Sequence, residues 1–434
     1  MALQREIGPW SALLITVGAM IGSGIFATPH DVAQTIQSPG LTLAIWGAGG
    51  LLALLGALSF IELGAAIPET GGLYVYLHRA YGRPAGFVFA WAMLVVMVPS
   101  SLGFFAQVTA RHANGLLGVP ATWDLPVALA VLTLLVGANL RGVRSGAAVQ
   151  NLATVIKYGG VLGVAMLGWF FAPSAAPVAV PAPVVPLGPL LAALVPVLWA
   201  YDGWIDITSI AGEVRDPQRD VPRSLAIGTL LVIVLYLLAN LTYLQVLGPA
   251  GLAASQTPAA DAAAQLLGPI GHVIVSLLIG ISTLGGCAVA LLTGSRVVFA
   301  VAADGLFFKA FAHTSRHHVP DVAVIACGLL AVLYLISPVG RLGDMFVIGA
   351  WPFYALGAVA TMVLRHKEPQ LVRPIRTLAY PLPIVVFAAA SLAIIGSYGV
   401  TNPWQTLLSF GLIGLGLPVY AAFRGRHAAV AGET

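Results

Sequence analysis

Residues 18–26 read Gly18-Ala19-Met20-Ile21-Gly22-Ser23-Gly24-Ile25-Phe26, inside an apolar run that extends from 11 to 36. Glycine costs about 1 kcal/mol relative to alanine in a helix interior, and three glycines fall between Gly18 and Gly24. A run long enough to cross a bilayer, which takes about 20 apolar residues, is therefore expected to break near its centre. A second run, 190–212, carries Trp199-Ala200-Tyr201-Asp202-Gly203-Trp204 behind Pro196, with a carboxylate and a glycine at mid-span. Unwound backbone at membrane depth is tolerated only where it is buried in protein or lines a cavity, because an unpaired N–H or C=O facing hydrocarbon is costly. The two breaks together predict a polar site within a membrane protein.

Composition agrees with that environment. The 434 residues are 59% hydrophobic and 8% charged, far below the roughly 25% charged share of an ordinary soluble domain. Apolar runs occupy 11–36, 42–67, 85–109, 122–140, 148–171, 190–212, 223–247, 269–302, 320–337, 342–364, 379–399 and 402–423. They predict an all-α integral membrane protein of twelve transmembrane helices. The eighth run is too long for one straight crossing and should tilt or project beyond the membrane. Residues Ala172 to Pro189, rich in proline, read as an extended loop. No run reads as a removable signal peptide, since the first leads directly into further spans.

Sixteen of the twenty Lys and Arg fall in connections on the side of the amino terminus, while Arg111 and Arg341 fall opposite, and Lys157 and Arg296 lie within spans. This partition follows the positive-inside rule and predicts a multi-pass protein of the plasma (inner) membrane with both termini cytoplasmic. The net charge of +4 then reflects short cytoplasmic loops and implies no nucleic-acid partner. Cys287 and Cys327 both lie in apolar segments and read as small core side chains.

The breaks occupy the first and sixth spans. That is where an inverted repeat of five plus five helices puts equivalent elements, dividing the chain into 11–171, 190–364 and an additional pair, 379–423. A half-helix beginning at Ser23 and Gly24 presents free N–H groups that suit a carboxylate. Carbonyls released at Met20, Ile21, Trp199, Ala200 and Asp202 suit an ammonium. With Gly22, Gly203 and the side chain of Tyr201, these residues form the candidate substrate site, a receptor for a zwitterion. A small-residue packing face is the structural alternative for the first break. Asp202 points to function, since a mid-span carboxylate costs about 2.5–3.5 kcal/mol on insertion scales; a place in water just above the site, or a role in stabilising the break, is the alternative.

Four stretches, Gly18 to Phe26 (GAMIGSGIF), Trp199 to Trp204 (WAYDGW), Gly212 to Pro222 (GEVRDPQRDVP) and Ser295 to Gly305 (SRVVFAVAADG), resemble the amino acid, polyamine and organocation superfamily, and within it the L-amino-acid transporter family. The resemblance runs in order from the first span to the tenth. It implies a LeuT-like fold with the substrate held at broken helices one and six. Ser23 and Gly24 would meet the substrate carboxylate, backbone carbonyls of Met20, Trp199 and Asp202 would meet its amine, and Trp199 would gate the site. Lys157 matches a lysine of sodium-independent members, where an ammonium replaces a bound sodium ion. Two departures stand out. Many members carry glycine in place of Asp202. The loop Leu116 to Leu125 also lacks the cysteine through which heteromeric animal members bind a glycoprotein, so no disulfide-linked glycoprotein subunit is expected.

These readings predict a sodium-independent secondary transporter of L-amino acids, an antiporter exchanging neutral amino acids by alternating access, with no cofactor and no metal. Proton symport through Lys157 is one alternative. Exchange of cationic amino acids or polyamines at Asp202 is another. A receptor or channel has no supporting feature, since neither a signalling domain nor a continuous ring of charges is present. No nucleophile, base and oxyanion donor assemble into an enzyme site. Glu213 with Arg215, Arg219 and Arg223 reads equally as a salt-bridged cytoplasmic gate or a solvated loop, Arg296 as a partner for a helix end or lipid phosphate, and Glu62 and Glu69 as partners of loop arginines in preference to a proton relay. His317 and His318 lack further ligands at metal-binding spacing.

Overall fold

The computed structural model describes residues 4–171, 186–255 and 257–431. Of the proline-rich loop, 172–185 lie outside the described residues, while Leu187 to Pro189 already belong to a helix. Regular structure among the described residues is helical, with one isolated parallel β-bridge between Ile7 and Val214. In chain order the helices are α1 (Pro9–Met20), α2 (Gly24–Thr35), α3 (Pro39–Ala66), α4 (Leu73–Tyr81) and α5 (Arg83–Ala92). A π-helical turn, Met93–Met97, joins α5 to α6 (Val98–Leu117), followed by α7 (Asp124–Leu140), α8 (Val143–Phe171) and α9 (Leu187–Ala200). The chain continues through α10 (Asp206–Ser209), α11 (Pro217–Ala254), α12 (Pro258–Leu267), α13 (Pro269–Ala303) and α14 (Asp321–Tyr334). It ends with α15 (Val339–Lys367), α16 (Leu382–Thr401), α17 (Pro403–Gly414) and α18 (Gly416–Ala431).

Both expected breaks are present. The first run divides into α1 and α2 around Ile21–Ser23, and the sixth into α9 and the single turn α10 around Tyr201–Ile205. Nine helical stretches among the described residues are long and apolar enough to cross a membrane. Helix α13 has 35 residues, about 52 Å at 1.5 Å per residue, which exceeds the roughly 30 Å hydrocarbon thickness. Helix α11 kinks at Gly248, whose φ is 68°, just beyond the end of the seventh apolar run. The short helices α4 and α12 were not anticipated, because a search for long apolar runs passes over brief amphipathic segments. Burial of Leu73, Tyr74, Tyr76 and Leu77 explains why α4 forms nonetheless.

Packing centres on the broken elements. Helix α1 lies against α8 and α11, and α2 lies against α9 and α11. Helix α13 runs along α6 and α8 and touches α10. Outward-facing Leu152, Trp169, Leu230, Leu277, Leu333 and Leu407 are extensively exposed. So much apolar surface around the circumference suits hydrocarbon and would promote aggregation in water.

Candidate substrate site

The two breaks pack directly on one another. A Cβ added to Gly24 would stand 2.7 Å from the Cα of Ala200, and one added to Gly203 would stand 2.7 Å from the carbonyl of Ala19. Gly203 also holds φ at +105°, a conformation that side chains disfavour. Gly203→Ala is therefore expected to push the breaks apart and to reduce transport at least tenfold at equal protein level, measured as uptake by reconstituted vesicles.

Each break is held by side chains from neighbouring helices. Lys157 of α8 is buried; its Nζ donates to the carbonyl of Gly18 and, at 2.6 Å, to that of Ile21. Ser282 Oγ of α13 donates to Ile21 at 2.9 Å and Gly22 at 3.1 Å. The Tyr236 hydroxyl of α11 bridges the breaks, 2.9 Å from the carbonyl of Met20 and 3.1 Å from that of Ala200. The Asp202 N–H donates to the Trp199 carbonyl at 3.1 Å. Thus four carbonyls expected to await a ligand, those of Met20, Ile21, Trp199 and Ala200, already accept hydrogen bonds within the protein. The amides at the start of α2 differ, since the first N–H groups of a helix have no intrahelical acceptor.

A cavity opens between the breaks and α5, α6, α13 and α15. Met20, Gly22, Ser23, Gly24, Trp199, Ala200, Asp202 and Gly203 line it, whereas Ile21 and Tyr201 do not. The Ile21 carbonyl faces Lys157 and Ser282 instead. The Tyr201 ring turns away to pack 5.8 Å from Trp46 and 5.0 Å from Tyr236. Beyond the sequence-derived set, Asp206, Ser101, Phe105, Thr293, Phe346 and Tyr354 also line the cavity. Asp206 was legible in principle, one turn after Asp202 in the same apolar run. The others come from spans whose local sequence carries no interruption.

Trp199 stands edge-on between Phe104 and Phe346, with ring centroids 5.7 and 5.2 Å away. It also lines a second cavity with Asp31, Phe104, Asp344 and Tyr398. Its indole thus lies at the boundary between two cavities, which also share Ser23 and Gly24 in their linings.

At the other side of the site the expected ion pairs are redistributed. Glu213 pairs with Arg296 of α13 at 2.7 Å, both side chains almost wholly buried (0% and 1% exposed). It is not grouped with Arg215, Arg219 and Arg223. Arg215 is exposed, and Arg219 pairs with Asp216 and Asp220. The physical reason is burial: a desolvated guanidinium requires an anion and hydrogen-bond acceptors. That need also excludes the lipid-phosphate reading of Arg296. Beside this pair, the Ile7 N–H donates to the Glu213 carbonyl and the Arg215 N–H to that of Ile7, at 3.0 and 2.9 Å. Glu62 accepts from Arg365 and from the Thr377 N–H, and also pairs with Arg373; Glu69 lies 3.7 Å from Arg79. Cys287 and Cys327 are buried and free. No cluster of three or more metal-ligating side chains occurs among the described residues.

Comparison with known proteins matches residues 7–417 to the amino acid permease family. The chain is 33% identical to b(0,+)-type amino acid transporter 1 of Mus musculus over 97% of its own length and 88% of that protein. It is 30% identical to Asc-type amino acid transporter 1 of Mus musculus, covering 96% and 81% of the two chains. Similarity to the serine/threonine exchanger SteT of Bacillus subtilis is 29% identity over 98% of both. Apolar helices in such number and this match throughout the chain identify a multi-pass membrane protein. The chain belongs to the amino acid permease family.

Proposed function

We propose that this protein is a sodium-independent exchanger of L-amino acids that works by alternating access. The observation that carries the reading is the meeting of two broken helices around one cavity, with the Lys157 ammonium bonded to Gly18 and Ile21 beside it. A substrate carboxylate would take the free amides of Ser23 and Gly24 at the positive end of α2. Since the nearby carbonyls are bonded to Tyr236, Lys157, Ser282 and Asp202, the substrate ammonium would rely on the Asp202 carboxylate, reinforced by whichever carbonyl lone pairs are unused. Lys157 Nζ occupies the carbonyls of Gly18 and Ile21 at the break, where a bound cation would otherwise sit.

The architecture that suits this cycle is LeuT-like. Nine long helices, the α1–α2 and α9–α10 pairs and the short α14 make twelve crossings, with inverted repeats at 11–171 and 190–364 and an added pair at 379–423. The distribution of Lys and Arg favours cytoplasmic termini in the plasma (inner) membrane. The chamber containing Asp344 is then outward-facing, Trp199 is its gate to the substrate, and Glu213–Arg296 helps close the cytoplasmic side. The chain would act without a disulfide-linked glycoprotein, and as a transporter rather than an enzyme. The exchange named for SteT supports antiport over uniport.

Purified protein in liposomes tests this directly. Uptake of labelled serine or alanine should require an unlabelled amino acid inside and persist when choline replaces sodium. Uptake that depends on sodium, or is indifferent to internal amino acid, would overturn the reading. Accumulation driven by a pH gradient alone would support symport through Lys157.

A further inference from the structure

A groove of about 140 Å³ opens at the end of the bundle that carries the amino terminus, between the start of α1 and the start of α11. Trp10 and Leu13 form one wall, and Asp220, Arg223, Ser224 and Ile227 the other. None of them lines the substrate cavity. Trp10 is largely exposed, and a tryptophan at the end of a membrane helix favours the boundary between hydrocarbon and headgroups. Arg223 is exposed as well, with no carboxylate paired to it among the described residues. Asp220 is the opposite case. Its side chain is 2% exposed and its Oδ1 accepts from Arg219 at 2.9 Å, but its Oδ2 is buried without a hydrogen-bond partner. Such an oxygen costs free energy unless a donor arrives, and the groove is the space that this side chain borders.

We propose that this groove binds an aminophospholipid of the phosphatidylethanolamine class. The Arg223 guanidinium takes the phosphate, Asp220 Oδ2 takes an N–H of the primary ammonium, and an acyl chain follows α11. Asp220 and Arg223 stand three residues apart on one helix, so they share a face with Cβ atoms roughly 5–6 Å apart. The two carbons between phosphate and ammonium in that headgroup suit the interval, and both contacts are charge-assisted. From Arg223 the same face continues through Ile227, Leu230 and Val234, which fall at helical spacing and are each close to half exposed. A zwitterionic pair of side chains thus heads an apolar stripe, the order in which a phospholipid presents its own parts. A headgroup with phosphate alone would satisfy Arg223 but bring a second anion beside Asp220. Phosphatidylcholine carries the right charges, yet its quaternary ammonium has no N–H to donate. The leaflet concerned is cytoplasmic in the orientation proposed above; the binding itself does not depend on the exchange reading. Because α1 ends in the break held by Lys157 and Tyr236, an occupant set against Trp10 and Leu13 steadies the helix that leads to the substrate site.

The test mixes delipidated protein in detergent with equal amounts of dioleoyl-phosphatidylethanolamine and dioleoyl-phosphatidylcholine and reads the retained lipid by native mass spectrometry. The ethanolamine lipid should be retained at least fivefold over the choline lipid, with its N-methyl and N,N-dimethyl forms in between. Asp220→Asn should bring the two lipids to within twofold of each other, whereas Arg223→Gln should lower retention of both at least fivefold. Equal retention of the two lipids by the unsubstituted protein overturns the proposal, and so does a preference for dioleoyl-phosphatidylglycerol over the ethanolamine lipid. Displacement by glycerophosphoethanolamine at equal concentration also overturns it, since that would assign the groove to a soluble phosphate ester. If Asp220→Asn does not fold, the methylation series and Arg223→Gln decide: retention that ignores either one sinks the site. No step of this test requires transport, so failure of lipid selection and failure of exchange are separate results.

Discussion

Arg296→Met is expected to destabilise the protein by about 3–5 kcal/mol, because it leaves Glu213 buried with an uncompensated charge. Arg296 donates to both carboxylate oxygens of Glu213, at 2.7 and 3.4 Å, and also bonds Ser295 Oγ and the Leu292 carbonyl. Water cannot replace these contacts, since both side chains are enclosed. The double variant Glu213→Gln with Arg296→Met should recover part of the loss, as it removes the orphaned charge together with its partner. Unfolding of the four proteins of this cycle in detergent measures the coupling; additive losses would show that the pair contributes through packing alone. Because Ile7 bonds the backbone at Glu213 and Arg215, the single variant should also expose the amino-terminal segment to proteolysis.

Lys157→Met should abolish exchange and lower stability. The ammonium holds two carbonyls of the broken first helix, and a thioether offers neither a donor nor a charge. The Ile21 carbonyl retains Ser282, whereas that of Gly18 loses its side-chain donor. An orphaned buried acceptor costs about 1–3 kcal/mol. Ser282→Ala removes a donor from Ile21 while leaving Lys157 in place, so its effect on both readouts should be smaller. Counterflow and thermal unfolding of the two variants check the order. Equal effects would mean that Lys157 acts as no more than one further hydrogen-bond donor at the break.

The two variants mark how far local sequence reaches. Glycines around Ile21 and the Asp202-Gly203 pair behind Pro196 announce their breaks through intrinsic backbone cost, so the positions of both interruptions were readable. Lys157 stood out because an intramembrane ammonium is expensive wherever its helix packs. Arg296 stood out equally, yet its partner did not. Glu213 lies 83 residues away, and three arginines closer in sequence offered a simpler pairing. Asp206 shares the apolar run that contains Asp202, but its role depends on which way one turn of chain faces. Tyr201, by contrast, belongs to the interrupted segment and points away from the cavity, because the turn that carries Asp202 inward directs the preceding ring against Trp46 and Tyr236.

By itself, the amino-acid order determined a helical membrane protein with interruptions in its first and sixth apolar runs, because helix propensity and the cost of intramembrane charge act within a few residues. Only the tertiary structure decided how those interruptions are satisfied. Tyr236, Ser282 and Lys157 reach the breaks from three separate helices, and their hydrogen bonds leave the amides of α2 and the carboxylates of Asp202 and Asp206 to face the cavity. Such pairings depend on packing between segments distant in sequence, where competing partners of the same chemistry differ only in whether geometry brings them within reach.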